Sequence, residues 1–379
     1  MHSPDFLVIG GGVAGLSAAA SLARHGTVIV LEAEDAIGFH SSGRSATFLH
    51  LGIGNETVRG MTIFSTDFFV TPPEGFSEAP LSSPSLSLYV ANASMLDMLD
   101  ELEADMTGIG GDIAKVSEKE MRTLCPVLNI GDDAIVAAIA DRGALKLDAG
   151  LLLQGYARAL RAAGGIIQLG QRIATISRAA GVWTVTSTNG EVFSAPIVVN
   201  AAGAWADRVG MMAGVQPLGL AAKRRTIIVF DPPAGIDSSG WPFVKTVTEE
   251  LYFLPESGRL LASPVDENDS DPVDAQPEEY DIALTAWRVE QWTTMQVPRI
   301  AHSWAGLRSF VADRVPTAGF APDAEGFFWL AGQGGYGLQT APAMAAITEA
   351  LVTGGDWPSG LSALGVEPAH IKPERLLGA

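Results

Sequence analysis

Near its N-terminus the chain reads Phe6-Leu7-Val8-Ile9-Gly10-Gly11-Gly12-Val13-Ala14-Gly15-Leu16-Ser17. The apolar run Phe6 to Ile9 predicts a buried strand and the glycine triplet a tight turn. The small-residue stretch Val13 to His25 predicts a helix, ended by Gly26 as a C′ glycine. Thr27 to Leu31 is a second apolar strand, closed by Glu32. Strand, helix and strand in this order form a βαβ unit, the start of a parallel sheet. Phe6 to Ala23 carries no charge, a property shared with membrane spans and secretory leaders. The opening Met1-His2-Ser3-Pro4-Asp5 has no cationic segment, and glycines inside the run fit a turn. A cytoplasmic protein without an integral membrane segment is therefore expected.

Gly10, Gly12 and Gly15 have the spacing of a dinucleotide-binding turn. The first permits the turn, the second lets the backbone approach a pyrophosphate, and the third lets helix and strand pack closely. With Ala14, they open a helix whose N–H groups and dipole favour phosphate. Glu32, followed by Ala33, can accept from both ribose hydroxyls and would repel a 2′-phosphate, which argues against NADP. Two further blocks bear on which dinucleotide binds. Ser41-Ser42-Gly43-Arg44-Ser45-Ala46 offers hydroxyls and a guanidinium to phosphate oxygens. Gly332-Gln333-Gly334-Gly335-Tyr336-Gly337, before a helix expected from Leu338 onward, can stabilise the negative charge of a reduced flavin ring. A nicotinamide enzyme has no such need.

Between these blocks, helices are expected at Met95–Met106, from Asp148 as N-cap through Ala163, and over Glu278–Met295. Short strands are expected at Ile166–Leu169, Ile173–Ser177, Val182–Ser187, Val192–Ser194 and Ile197–Asn200, with a hairpin at Asn189-Gly190. The stretch Asp266–Asp274 reads as a solvated turn. The expected fold is α/β: a Rossmann-like FAD-binding domain interleaved with an α+β substrate domain built on an antiparallel sheet. The expected division is 1–85, 145–215 and 306–379 for the first, and 86–144 and 216–305 for the second.

The 379 residues are 47% hydrophobic and 18% charged, enough apolar material for large cores. A net charge of −19 without a Lys/Arg-rich block argues against nucleic acid as partner. The single cysteine, Cys125, excludes disulfide frameworks and paired-cysteine metal or redox sites, and six scattered histidines give no metal-ligand spacing.

Together these blocks resemble the FAD-dependent D-amino acid oxidase/dehydrogenase family, relatives of glycine and sarcosine oxidases. The carriers are Val8–Gly15, Glu32, His40–Ala46, Val198-Val199-Asn200-Ala201-Ala202-Gly203-Ala204-Trp205 and Phe327–Gly337. Lys223-Arg224-Arg225 and Trp304–Phe310 are most similar to the substrate-domain blocks of bacterial D-arginine dehydrogenase. The resemblance implies a noncovalent FAD, since Cys125 lies far from the C-terminal region where relatives attach flavin. It implies cofactor contacts from Ile173, Ala202, Gly203 and Trp205, and from Gly332, Gly334, Gly335, Gly337, Leu338, Gln339 and Thr340. Arg225 and Arg308 would hold the substrate carboxylate, helped by Tyr252. Phe48, His50, Ile53, Ser87, Gly335 and Tyr336 would form the pocket. At the positions where the D-arginine enzyme reads its cationic side chain, this chain has Ser87, Phe48 and Ile53, which implies a more apolar pocket.

A guanidinium fork suits a carboxylate, and with the carboxylate fixed, Cα–H can be aimed at flavin N5. The expected reaction is oxidative deamination of a D-amino acid to a 2-oxo acid and ammonia by hydride transfer, favouring apolar or small side chains over D-Arg and D-Lys. Oxidation of a secondary amine acid or a 2-hydroxy acid is the alternative, because two arginines suit any carboxylate. The electron acceptor is left open between oxygen and a quinone.

Overall fold

The computed structural model describes residues 2–377. The predicted βαβ unit forms as strand Phe6–Ile9, helix Val13–Leu22 and strand Val28–Leu31, paired in parallel from Phe6↔Val28 to Ile9↔Leu31. Outward from this pair the sheet adds Ile166–Gln168 beside the second strand. On the other side lie Ile197–Asn200, Phe327–Ala331 and, antiparallel at the edge, Thr317–Phe320.

Strand alternation explains why Phe6–Ile9 is apolar throughout. Phe6 and Val8 face a helical layer with Ala18, Leu22, Met344 and Ile347. Leu7 and Ile9 face the opposite layer with Trp183, Phe193 and Trp329. That second layer is the meander Ile173–Ala179, Val182–Ser187 and Val192–Ala195, with Gly190 at φ +87° in the predicted hairpin. Small residues on Val13–Leu22 let it pack closely against Ala341–Thr353 and Ala149–Ala162. The Asp148 carboxylate caps the latter by accepting from Leu151 N at 2.8 Å.

A second, mostly antiparallel sheet of nine strands carries the remaining chemistry. Its longest pairing joins Ala221–Phe230 to Ile300–Phe310, with Arg225 opposite Gly306 and Lys223 opposite Arg308. Ile228 and Phe230 point to a core with Val289 of helix Glu279–Trp292. Ile227 and Val229 point the other way, towards Phe243 and Tyr252. By the same alternation Arg225 is on this second face. The expected boundary at 305/306 falls inside strand Ile300–Phe310, which pairs along its length with Ala221–Phe230 in this second sheet.

Several elements differ from expectation. The helix expected from Leu338 begins at Ala341, and residues 334–340 form turns. The helix expected over Glu278–Met295 spans Glu279–Trp292, leaving Trp287 exposed. Asp266 is no solvated turn: its carboxylate accepts from Thr226 N at 2.7 Å and Thr226 Oγ1 at 3.0 Å. Asn268–Asp269 continues as a short edge strand on Lys223 and Arg224. Among the described residues no helix is long and apolar enough to cross a membrane.

Candidate active site

Three cavities follow one another along the junction of the two sheets and share lining residues. The first, of about 400 Å³, lies at the C-terminal ends of the parallel strands. Gly10, at φ +112°, makes the turn, and a Cβ there would fall on the Ala201 carbonyl oxygen. A Cβ at Gly15 would strike the Gly10 carbonyl oxygen, so this glycine serves helix–strand packing and stands behind the cavity wall. Glu32 is buried at the rim. Its carboxylate accepts from Gly11 N at 2.6 Å and Glu34 N at 2.9 Å, fixing its direction while leaving lone pairs open. Ala33, Ile173, Ala202, Gly203 and Trp205 line the same space. So do Gln171, Arg172 and Met212, which the motif does not reveal. Gln171 Oε1 is buried there without a hydrogen-bond partner.

The second cavity, of about 130 Å³, shares Gly12, Ser41, Ser42 and Gly203 with the first. Ser42 Oγ accepts from Val13 N at 3.0 Å, at the start of the first helix, and Ser41 Oγ donates to the Leu307 carbonyl at 2.5 Å. Ala14, Ser45, Ala46, Gly334, Gly335, Gly337 and Leu338 also line it. Gln333 Nε2 is buried without a partner on this wall.

Arg44 has structural partners of its own. Its guanidinium donates to the carbonyls of Phe39 (3.2 Å), Ala275 (3.1 Å) and Ala305 (3.1 Å), and pairs with Asp274 at 2.5 Å. These partners take four of its five N–H groups, so Arg44 fastens segments around the second cavity, whose wall it also lines. Gly332 and Thr340 line none of these three cavities: Thr340 Oγ1 donates to the Tyr336 carbonyl at 2.9 Å. Gln339 reaches the third cavity and exchanges hydrogen bonds with the His50 backbone.

The third cavity, of about 40 Å³, shares Ser45, Ala46, Arg225, Tyr252, Arg308 and Gly335 with the second. Arg225 is buried. Its Nε donates to the Asp266 carbonyl at 2.7 Å, and its Nη2 stands 3.4 Å from Glu267. Burial, then the nearby Arg308, draws its pKa down to about 10, still cationic at neutral pH. Arg308 has no hydrogen bond and no ion pair among the described residues, and it lines both cavities. Tyr252 Oη is buried beside it without a partner. Phe48, His50 and Ile53 line the third cavity as expected, and His50 tilts against Phe243 at 5.0 Å between ring centres.

Two expected pocket residues are corrected. Ser87 is fully buried in register with Phe243 and lines none of the three cavities. Tyr336 is turned away, with its hydroxyl on the Arg314 carbonyl. The pocket is also less apolar than expected. Lys245, directly across the strand pair from Tyr252, is buried in its wall. Its ammonium donates to the Gly52 carbonyl at 2.8 Å and to Glu249 at 2.5 Å. Burial lowers the Lys245 pKa, against the opposing pull of Glu249. Burial would raise Glu249, but Lys245, Arg225 and Arg308 outweigh it and hold that carboxyl at about 2. Glu249 itself is half exposed at the mouth.

Three wall residues, Thr47 (φ +53°), Glu249 (φ +60°) and Val265 (φ +54°), take the left-handed conformation that side chains disfavour. Such strain gathers where a structure positions chemistry.

Residues 5–351 match the family described as DAO, FAD dependent oxidoreductase. The chain belongs to this family. It is an FAD-dependent oxidoreductase, and the site fits the cofactor: a glycine cradle, a rim carboxylate and buried polar atoms without protein partners. A glycine oxidase from Geobacillus kaustophilus is 25% identical, the match covering 93% of each chain. The FAD-dependent oxidoreductase domain-containing protein 1 of Bos taurus is 24% identical over 92% of this chain and 81% of its own. Among solved structures, the L-alpha-glycerophosphate oxidase of Mycoplasma pneumoniae superposes with a TM-score of 0.84 at 21% identity, covering 94% of this chain and 96% of that one.

Proposed function

We propose that the chain oxidises a small D-amino acid at Cα, giving an imino acid that water hydrolyses to a 2-oxo acid and ammonia. The unpaired Arg308 guanidinium at the junction of the second and third cavities carries this reading. A buried or half-buried cation without a counterion is costly, and a substrate carboxylate supplies the missing partner in bidentate form. Arg225, already held by Asp266 and Glu267, adds its free N–H edge and positive field. Tyr252 Oη, which has no protein partner, donates to the same carboxylate. FAD, bound noncovalently across the first two cavities, supplies the acceptor for the hydride leaving Cα. Cys125 is buried in another core and lines none of the three cavities, which supports noncovalent binding. Its thiol is pushed up to about 12 by burial, which leaves it unreactive.

Phe48, Ile53 and Phe243 close the pocket around a short side chain. A D-Arg or D-Lys side chain would meet Lys245, a like charge whose carboxylate partner is already engaged. The D configuration rests on the resemblance of Lys223–Arg225 and Trp304–Phe310 to D-arginine dehydrogenase, and the amino-acid class also on the similarity to glycine oxidase. We assign cofactor binding to 1–85, 145–215 and 306–379, and substrate binding to 86–144 and 216–305.

The test is an anaerobic screen in which D- and L-amino acids, glycine, sarcosine and 2-hydroxy acids are mixed with the holoprotein and the visible flavin band is followed. Bleaching by small D-amino acids with little by D-Arg supports the reading. Bleaching only by 2-hydroxy acids overturns it.

A further inference from the structure

The part of the third cavity's wall formed by Lys245 and His50 presents hydrogen-bond donors. Lys245 has three N–H groups. Two are taken by Gly52 and Glu249, and one has no partner among the described residues. Gly52 N–H donates to the Tyr89 hydroxyl oxygen at 3.1 Å, and that hydroxyl stands 2.8 Å from His50 Nδ1. Ser87 Oγ, which has no other partner among the described residues, also borders the hydroxyl, and Nε2 carries the ring proton in the tautomer where Tyr89 donates to Nδ1. Burial, then Lys245, holds the His50 pKa at about 3, so the ring stays neutral. Nε2–H has no partner among the described residues, and the ring lines the cavity.

The only acid side chain on this wall is Glu249, and it is unequally placed. Lys245 is 6% exposed at its side chain and Glu249 49%. Glu249 sits in a left-handed turn conformation and can rotate into solvent without opening a core. Lys245 cannot follow it.

We propose that Lys245 is a specificity-determining residue whose ammonium, with the His50 Nε2–H beside it, receives a second carboxylate at the far end of the substrate. The preferred substrate is then a small amino acid with an acidic side chain. Glu249 holds the position of that carboxylate while the pocket is empty and moves out when substrate enters. This inference rests on the reading of the site as a carboxylate-anchoring amino acid pocket.

Two readouts test it on the full-length holoprotein. Simple acids are titrated against the flavin spectrum, succinate against butyrate, with no turnover involved. Separately, D-Glu, D-Asp, D-Val, D-Ala and D-Lys are compared as anaerobic reductants. Succinate is expected to bind at least tenfold more tightly than butyrate. The ratio of D-Glu or D-Asp to D-Ala efficiency should fall at least tenfold in Lys245→Met and rise in Glu249→Gln. The second variant keeps the buried ammonium and guards against misfolding of the first.

Equal binding of succinate and butyrate overturns the proposal, as does an unchanged ratio in both variants. A preference for D-Lys that Glu249→Gln removes also overturns it, and makes Glu249 the reader. If no amino acid bleaches the flavin while succinate still binds tightly through Lys245, the dicarboxylate site stands and the amine reading falls.

Discussion

The first and third cavities are built by different means. The first is organised by backbone: a glycine turn, the start of one helix and the Glu32 carboxylate that the turn's own N–H fixes, with lining from residues 9–12, 31–42, 171–173 and 201–212. The third is made by side chains from four separated segments, 45–53, 225, 243–265 and 308–339. Its wall holds charges close together and three residues in a disfavoured conformation. A backbone cradle binds the constant part of a reaction and tolerates no added atom. A side-chain pocket sets what varies, and single substitutions can retune it.

Gly10→Ala tests the cradle and should have the largest effect. A methyl group on the Ala201 carbonyl, at a positive φ, costs about 3 kcal/mol or more. Colourless protein with a depressed Tm is expected, and full flavin content after gel filtration would break the contrast. Arg308→Met comes next, with flavin retained. Losing one member of a buried charge-assisted pair costs roughly 2–5 kcal/mol, a loss in kcat/KM of roughly 30- to 5,000-fold. An unchanged kcat/KM would remove Arg308 from the site.

Tyr252→Phe sharpens the comparison further. The hydroxyl has no partner in the free protein, so stability should be unchanged or rise by up to about 1 kcal/mol, while substrate half-saturation rises about 3- to 30-fold. A fall in Tm without a change in half-saturation would make Tyr252 a packing residue.

His50→Gln is read through the stability of the fold in acid. Folding holds the ring neutral with a pKa near 3 instead of 6.5. The parent is therefore fully stabilised above the unfolded value and loses stability as pH falls from there towards 3. Tm measured from pH 7 down to pH 4 should drop less in the variant. Parallel curves would mean the ring is not sealed from water.

Local signals account for most of the cradle. Phe6–Ile9 followed by Gly10-Gly11-Gly12 states strand and turn within a few residues, and Glu32 closes the next strand. Arg225 and Arg308 were also legible, because each lies in a strongly apolar strand where a charge needs a reason. Lys245 and Glu249 were not. Lys245 stands on strand Phe243–Thr246 and Glu249 in the turn after it; the strand pairs in parallel with Ser87–Ala91, far away in the chain, and only that pairing brings Lys245 beside His50 and Gly52. The structural partners of Arg44 were hidden for the same reason. Its hydroxyl-rich surroundings suit phosphate, and only the fold brings the carbonyls at 275 and 305 and the Asp274 carboxylate to its guanidinium. Tyr336 follows a glycine run whose turns extend to residue 340, and those turns rotate its ring away.

The left-handed residues around the third cavity have a consequence for anyone wishing to improve this protein. Thr47, Glu249 and Val265 each hold roughly 1–2 kcal/mol of backbone strain that a glycine would relieve. Replacing them is an obvious route to a hardier molecule. It would also remove the side chains that give the pocket its shape and charge. Selection for heat tolerance alone should thus drift towards a broader, less discriminating catalyst, and selection for discrimination should hold these positions fixed against their own conformational preference.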